Sequence, residues 1–181
     1  LSPIAGALLD RHGRTRLMVL DYAVAAIALG LIVALGASDV LNEGLLLVIV
    51  TVQSLTFPLS QTGVRTLFPL LVPRRLWERA NAIDSNGYVL SSVVGPALAG
   101  TLVATLGGEL ALATTAAIFG LAAVVTIGLR DPATRRPQGR LLADAWAGVV
   151  YVARNPTLRG LALSVSTANV AWGLFFIALP V

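Results

Sequence analysis

Five apolar stretches, at about 17–37, 44–68, 83–106, 110–129 and 158–181, are separated by polar segments whose charge alternates along the chain. Arg11, Arg14 and Arg16 precede the first, and Asp39 with Glu43 follow it. Arg74, Arg75 and Arg79 come next, then Glu109, then Arg130, Arg135, Arg136, Arg140, Arg154 and Arg159, with Arg65 at the edge of a basic segment. A helix needs about 20 apolar residues to cross a hydrocarbon core, and basic residues concentrate in cytoplasmic loops. Moving the register by one helix would destroy the alternation. The fold class expected is therefore an all-α polytopic membrane protein, with its basic loops cytoplasmic and its acidic ones on the far side.

Composition agrees. The chain is 56% hydrophobic and 12% charged, with a mean hydropathy of +0.83, too apolar for a soluble domain of this size. The net charge of +4 does not point to nucleic acid, because the arginines sit at membrane boundaries and form no patch interleaved with aromatics. The absence of Cys removes disulfides, thiol chemistry and Cys-based metal sites. His12 is the sole histidine, and no glycine-rich phosphate loop followed by Lys-Ser or Lys-Thr is present. No catalytic set, metal site or cofactor is expected. The lipid bilayer is the first partner the sequence implies.

The opening segment carries the most specific motif. Gly6, Leu8, Asp10, Arg11, Gly13, Arg14 and Leu17 follow the order Gly-x-Leu-x-Asp-Arg-x-Gly-Arg-x-x-Leu, read as a short charged loop between two helices, with Gly6 and Gly13 allowing close approach and a tight reversal. Taken alone, such residues also suit a basic hairpin that only fixes orientation. The pattern resembles the loop after the second helix of major facilitator superfamily transporters, at every fixed position. The resemblance implies a twelve-helix bundle of two pseudo-symmetric halves rocking about a central cavity. It also implies that Asp10 caps or pairs with a helix of the other half, while Arg11 and Arg14 hold the cytoplasmic gate.

Within the first full span, Asp21 lies one turn inside and reads as a boundary residue near Arg14 or Arg16 rather than as a proton carrier, because the cost of a membrane charge falls toward the interface. The second span is interrupted by Phe57-Pro58 and carries Gln53, Gln61 and Arg65 in its second half. Polar groups there must face protein or water. Gln61 and Arg65, four apart, share a face; Arg65 either points into a cavity or snorkels to the interface. From Arg65 on, the order Arg-x-x-x-Pro-x-Leu-Val-Pro, then Ala-Asn-Ala, Asp-Ser and Gly-Pro-Ala-x-Ala-Gly resembles the enterobactin-exporter and macrolide-efflux branch of the superfamily.

The third span places Gly87, Ser91, Gly95 and Ala99 at steps of four, with Gly100 alongside, a stripe of small residues that admits a neighbouring helix. Pro96 removes one backbone hydrogen bond and predicts a bend. The stripe is explained by packing alone, but 95–100 also resembles the fifth-helix motif of the superfamily's antiporters. Ser91 and Ala99 stand where that motif has Gly, and both remain small. Asp84, at the start of this span, reads as a gate-stabilising ion-pair partner or, alternatively, as a proton-coupling carboxylate.

The segment 130–140 is polar and Pro-containing, and 141–154 reads as an amphipathic helix at the cytoplasmic interface. In the last span Asn169 either lines the substrate cavity or hydrogen-bonds a neighbouring helix. The organisation expected is thus 1–129 as part of an N-terminal six-helix half, 130–157 as a cytoplasmic linker and 158–181 as the first helix of the second half. Leu1 and Val181 both fall inside apolar runs, so the chain reads as a piece running from the end of the second helix through the seventh, with the remainder of the transporter as its partner. The function expected is proton-driven efflux of a small amphiphilic compound, such as a drug or siderophore, from a multi-pass protein of the cytoplasmic membrane, using a proton gradient and no cofactor. Import on the same scaffold, or a non-transporting sensor or assembly protein, are the alternatives.

Overall fold

A computed structural model describes residues 2–129, 131 and 141–178. Among the described residues the chain forms seven α-helices and no strand: α1 (Ser2–His12), α2 (Arg14–Ala37), α3 (Glu43–Leu71), α4 (Trp77–Leu106), α5 (Gly108–Ile127), α6 (Leu141–Arg154) and α7 (Pro156–Ala178), with a single 3-10 turn at Arg74–Leu76 before α4. Among the described residues, four helical segments are long and apolar enough to cross a membrane: Arg14–Ala37, Glu43–Leu71, Arg74–Leu106 and Gly108–Ile127. This is a multi-pass membrane protein, as the alternating pattern predicts.

The elements begin and end where the backbone chemistry requires. Asn42 caps α3 by accepting from the Leu45 N–H at 2.9 Å, the usual role of a short polar side chain at a helix start. Gly107, at φ 85°, ends α4 and begins α5, so the reversal takes one residue. Asn155 accepts from the Thr157 and Leu158 N–H groups at 3.1 and 3.2 Å, and Pro156 follows at the first position of α7, where its missing N–H costs nothing.

Several boundaries differ from the sequence expectation. The opening segment is not a loop: α1 remains helical through His12, and Gly13 alone, at φ 91°, breaks the chain before α2. Its charged residues are compatible with a helix, so the reversal needs only the one residue that tolerates positive φ. Helix α3 runs through both Pro58 and Pro69 without interruption, although each proline removes a backbone hydrogen bond. Helix α4 starts at Trp77, six residues ahead of the apolar run, because Glu78, Arg79 and Ala80 favour helix outside the apolar region.

The chain divides into two compact units, Leu1–Pro137 and Gln138–Val181. In the first, α2 packs against α5 and α3, α1 against α3, and α4 against α5. The core lies where α1, α2 and α3 meet, with Ala5, Leu9, Leu17 and Leu59 buried together and Leu9 only 1% exposed. Gly63 makes this packing close: a Cβ there would stand 2.6 Å from Met18 Cγ. In the second unit α6 packs on α7, and Trp172 meets Phe175 edge-on at 5.7 Å. Of the expected linker 130–157, residues 130 and 132–140 lie outside the described residues.

Candidate functional site

The break at Gly13 gathers charge from three parts of the first unit. Arg14 reaches back one turn to pair with Asp10, and its Nε donates to Thr66 Oγ1 of α3 at 3.2 Å. The backbone N–H of Arg14 donates to Asp131 Oδ2 at 2.6 Å. Asp131, just beyond α5, therefore caps the start of α2 from 117 residues away. A carboxylate suits that position because the first N–H groups of a helix have no partner within it and carry the positive end of its dipole. Arg14 is 13% exposed against 61% for Asp10, so the arginine is the enclosed member. Arg11 is exposed. Gly6 stands inside α1 with open space where a Cβ would lie, so it permits no close approach of another element here.

A cavity of about 490 Å³ opens among α2, α3, α4 and α5. Gln53, Gln61, Arg65 and Asp84, four residues singled out as polar groups in apolar helices, all line it. Helix α3 presents Gln53, Gln61 and Arg65 to one side because they recur at helical spacing, and α4 brings Asp84 and Tyr88 from another. Tyr22 of α2 and Phe119 of α5 close the wall with ring centroids 6.5 Å apart. A second cavity of about 250 Å³ shares Ala25, Gln53 and Phe119 with the first and is otherwise lined mainly by Ala28, Leu29, Ile32, Ile49 and Val50. A polar compartment and an apolar one thus share a wall.

Asp21 lines the polar compartment as well, an enclosure that its reading as a boundary residue did not include. It is 3% exposed, and its Oδ1 is buried without a hydrogen-bond partner among the described residues. It pairs with neither Arg14 nor Arg16. The signal that would have found it is register: Leu17, Asp21, Ala25 and Ala28 recur on one face, all buried. Gly63 was missed too, since a lone glycine in a polar half-helix shows no pattern.

Within the first unit the stripe candidates of α4 do not line this cavity. Gly87, Gly95 and Gly100 have nothing within 4 Å of an added Cβ. Ser91, Pro96 and Ala99 are exposed beside them, and α4 contains no buried residue and continues through Pro96. The stripe lies open along one face of the helix. Asn169, in the second unit, donates from Nδ2 to the Val165 carbonyl of its own helix at 2.8 Å.

Comparison with known proteins follows from this architecture. The Major Facilitator Superfamily matches over residues 1–181. An uncharacterized MFS-type transporter of Sinorhizobium fredii is 37% identical over 182 residues, covering 100% of this chain and 45% of that protein. The multidrug efflux pump Tap of Mycolicibacterium fortuitum is 29% identical over 170 residues, covering 88% of this chain and 42% of the pump. Tap of Mycobacterium tuberculosis is 30% identical over 171 residues, covering 88% and 41%. The chain spans less than half the length of each of these relatives. No solved structure matches.

Proposed function

The chain belongs to the major facilitator superfamily, a family of transporters rather than enzymes, and we propose that it supplies one side of the pathway of a proton-driven exporter of amphiphilic compounds. The observation that carries this reading is the pair of cavities sharing Ala25, Gln53 and Phe119. A compound with a polar head and an apolar body matches one compartment with each end. The polar groups that fix a ligand's orientation are few, and here they are Gln53, Gln61, Arg65 and Asp84. The similarity to pumps named for multidrug efflux supports export over import.

In this reading the protein lies in the cytoplasmic membrane with its Arg-rich segments inside, and the rest of the transporter forms the facing wall. The charged cluster at Gly13 is the cytoplasmic gate. Arg14 ties α1 to α3 through Asp10 and Thr66, and Arg11, exposed beside it, is free to meet the other half as the two halves rock. The open stripe of Gly87, Ser91, Gly95, Ala99 and Gly100 receives a helix of that half, whose close approach needs small residues. Asn169 belongs to the first helix of the second half. Drugs and siderophore-like compounds are the substrate classes of the proposal, and protons the coupling ion.

The test is ethidium accumulation in inside-out vesicles holding the full-length transporter. Imposing a proton gradient should drive uptake, and collapsing it with an ionophore should stop uptake. Correctly folded protein that moves neither ethidium nor any member of a broad panel of amphiphiles would leave the sensor reading in its place.

A further inference from the structure

We infer that Asp21 is the residue on which this half of the transporter binds and releases a proton. The inference rests on the proton-driven reading above and names the group that reading needs. Two independent features carry it: the carboxylate is 3% exposed with Oδ1 unpartnered among the described residues, and it lines the 490 Å³ cavity through which water would reach it. A buried acceptor with no donor is costly to leave bare. A proton delivered from cavity water removes the charge, and the resulting hydroxyl becomes a donor. An O–H bond forms at a carboxylate oxygen on loading and breaks to water on release, and no electron moves.

The surroundings suit exchange rather than permanent pairing. From α3 Arg65 lines the same cavity, and from α4 Asp84 and Tyr88 do so; α5 contributes Phe119 and no charged group, and Tyr22 follows on α2 itself. The charged groups of α1, Asp10 and Arg11, lie with His12 beside the Gly13 break, where Asp10 is held by Arg14. Arg65 and Asp21 are not in ion-pair contact among the described residues. The ionised carboxylate therefore shares its cavity with a cation that it does not contact, and the protonated one leaves Arg65 to a substrate. Asp84 is a weaker candidate because it is exposed, on a helix with no buried residue, so nothing in this half encloses its carboxylate.

Infrared difference spectroscopy of the purified full-length transporter during acidification reads the carboxyl C=O stretch directly, without a substrate. Wild type should show a buried carboxyl band, resolved from solvated acids and shifted in D₂O, that disappears in Asp21→Asn and persists in Asp39→Asn. In Asp21→Glu the band should return at an altered frequency and midpoint pH, which decides the matter even if the Asn variant does not fold. A wild type without such a band, a band unchanged in either Asp21 variant, or one lost in Asp84→Asn instead would overturn the assignment. The two readings fail separately. Vesicles that move no ethidium while the Asp21 band persists sink the export reading alone, whereas proton-driven accumulation at wild-type level in Asp21→Asn sinks this one alone.

Discussion

Helices α2 and α4 are both long and apolar, yet the structure treats them in opposite ways. Helix α2 lies against α1, α3 and α5, and one of its faces, Leu17, Met18, Asp21, Ala25 and Ala28, is buried. Helix α4 has no buried residue; Ile83, Tyr88 and Val93 are each about 70% exposed. Small residues occur on both. On α2 Ala25 and Ala28 are covered, and Gly63 of α3 touches Met18; on α4 Gly87, Gly95 and Gly100 face open space. The same chemical device is thus used up in one place and still available in the other. A stripe of small residues states that a helix can approach, and the surrounding fold decides whether one already has.

The strongest attempt to break this contrast is Gly63→Val. Branched bulk placed 2.6 Å from Met18 Cγ overpacks a tight contact and should cost about 1–3 kcal/mol, read as a lower unfolding midpoint of the purified protein. An unchanged midpoint would mean that α2 and α3 do not approach as described.

Asp131→Ala comes next, because it removes the carboxylate capping α2 at Arg14. Loss of a helix cap costs about 1 kcal/mol, and hydrogen exchange should quicken in the first turn of α2 while α4 stays as it was. Equal protection in wild type and variant would show that the cap contributes nothing.

Gly95→Ala should run the other way. In open space the substitution gains helix propensity, about 0.5–1 kcal/mol, so thermal stability should rise slightly; Gly95→Leu should also insert normally but abolish ethidium transport. Normal transport by Gly95→Leu would mean that no helix closes on the stripe.

The smallest effect on stability belongs to Asp10→Asn, which breaks a pair whose acid is exposed and should cost about 0.5 kcal/mol. Ethidium efflux should nevertheless fall while membrane insertion remains intact. Unaltered efflux would remove Asp10 from the gate.

The cavity residues show how far one dimension reaches. The sequence could single out Gln53, Gln61 and Arg65 because a polar group in a membrane helix is expensive unless it faces protein or water, whereas Asp84, read as an ion-pair or proton-coupling group, joins them along one cavity only in three dimensions. For Asp21 the distance from the helix end gives a depth but not an enclosure. Its environment depends on how α2 is met by α3 and α5, and the residues that α3, α4 and α5 bring to it are more than 30 positions away in the chain. The expected loop at 6–17 failed for a related reason. Charge marks where the chain leaves an apolar run, whereas only a dihedral constraint, met at Gly13, marks where the helix stops.

What the sequence determined by itself, then, is the succession of apolar segments, the alternation of loop charge and the motifs that resemble the superfamily. These follow from transfer free energies and local backbone preferences, which are properties of contiguous residues. The tertiary structure alone decided that Asp21 is enclosed with its Oδ1 unpartnered among the described residues, that Gly63 rather than Gly6 permits close helix contact, that Asp131 caps α2, and that the stripe on α4 is left open. Each of these depends on which surfaces of separate helices meet, and that is fixed by packing in three dimensions.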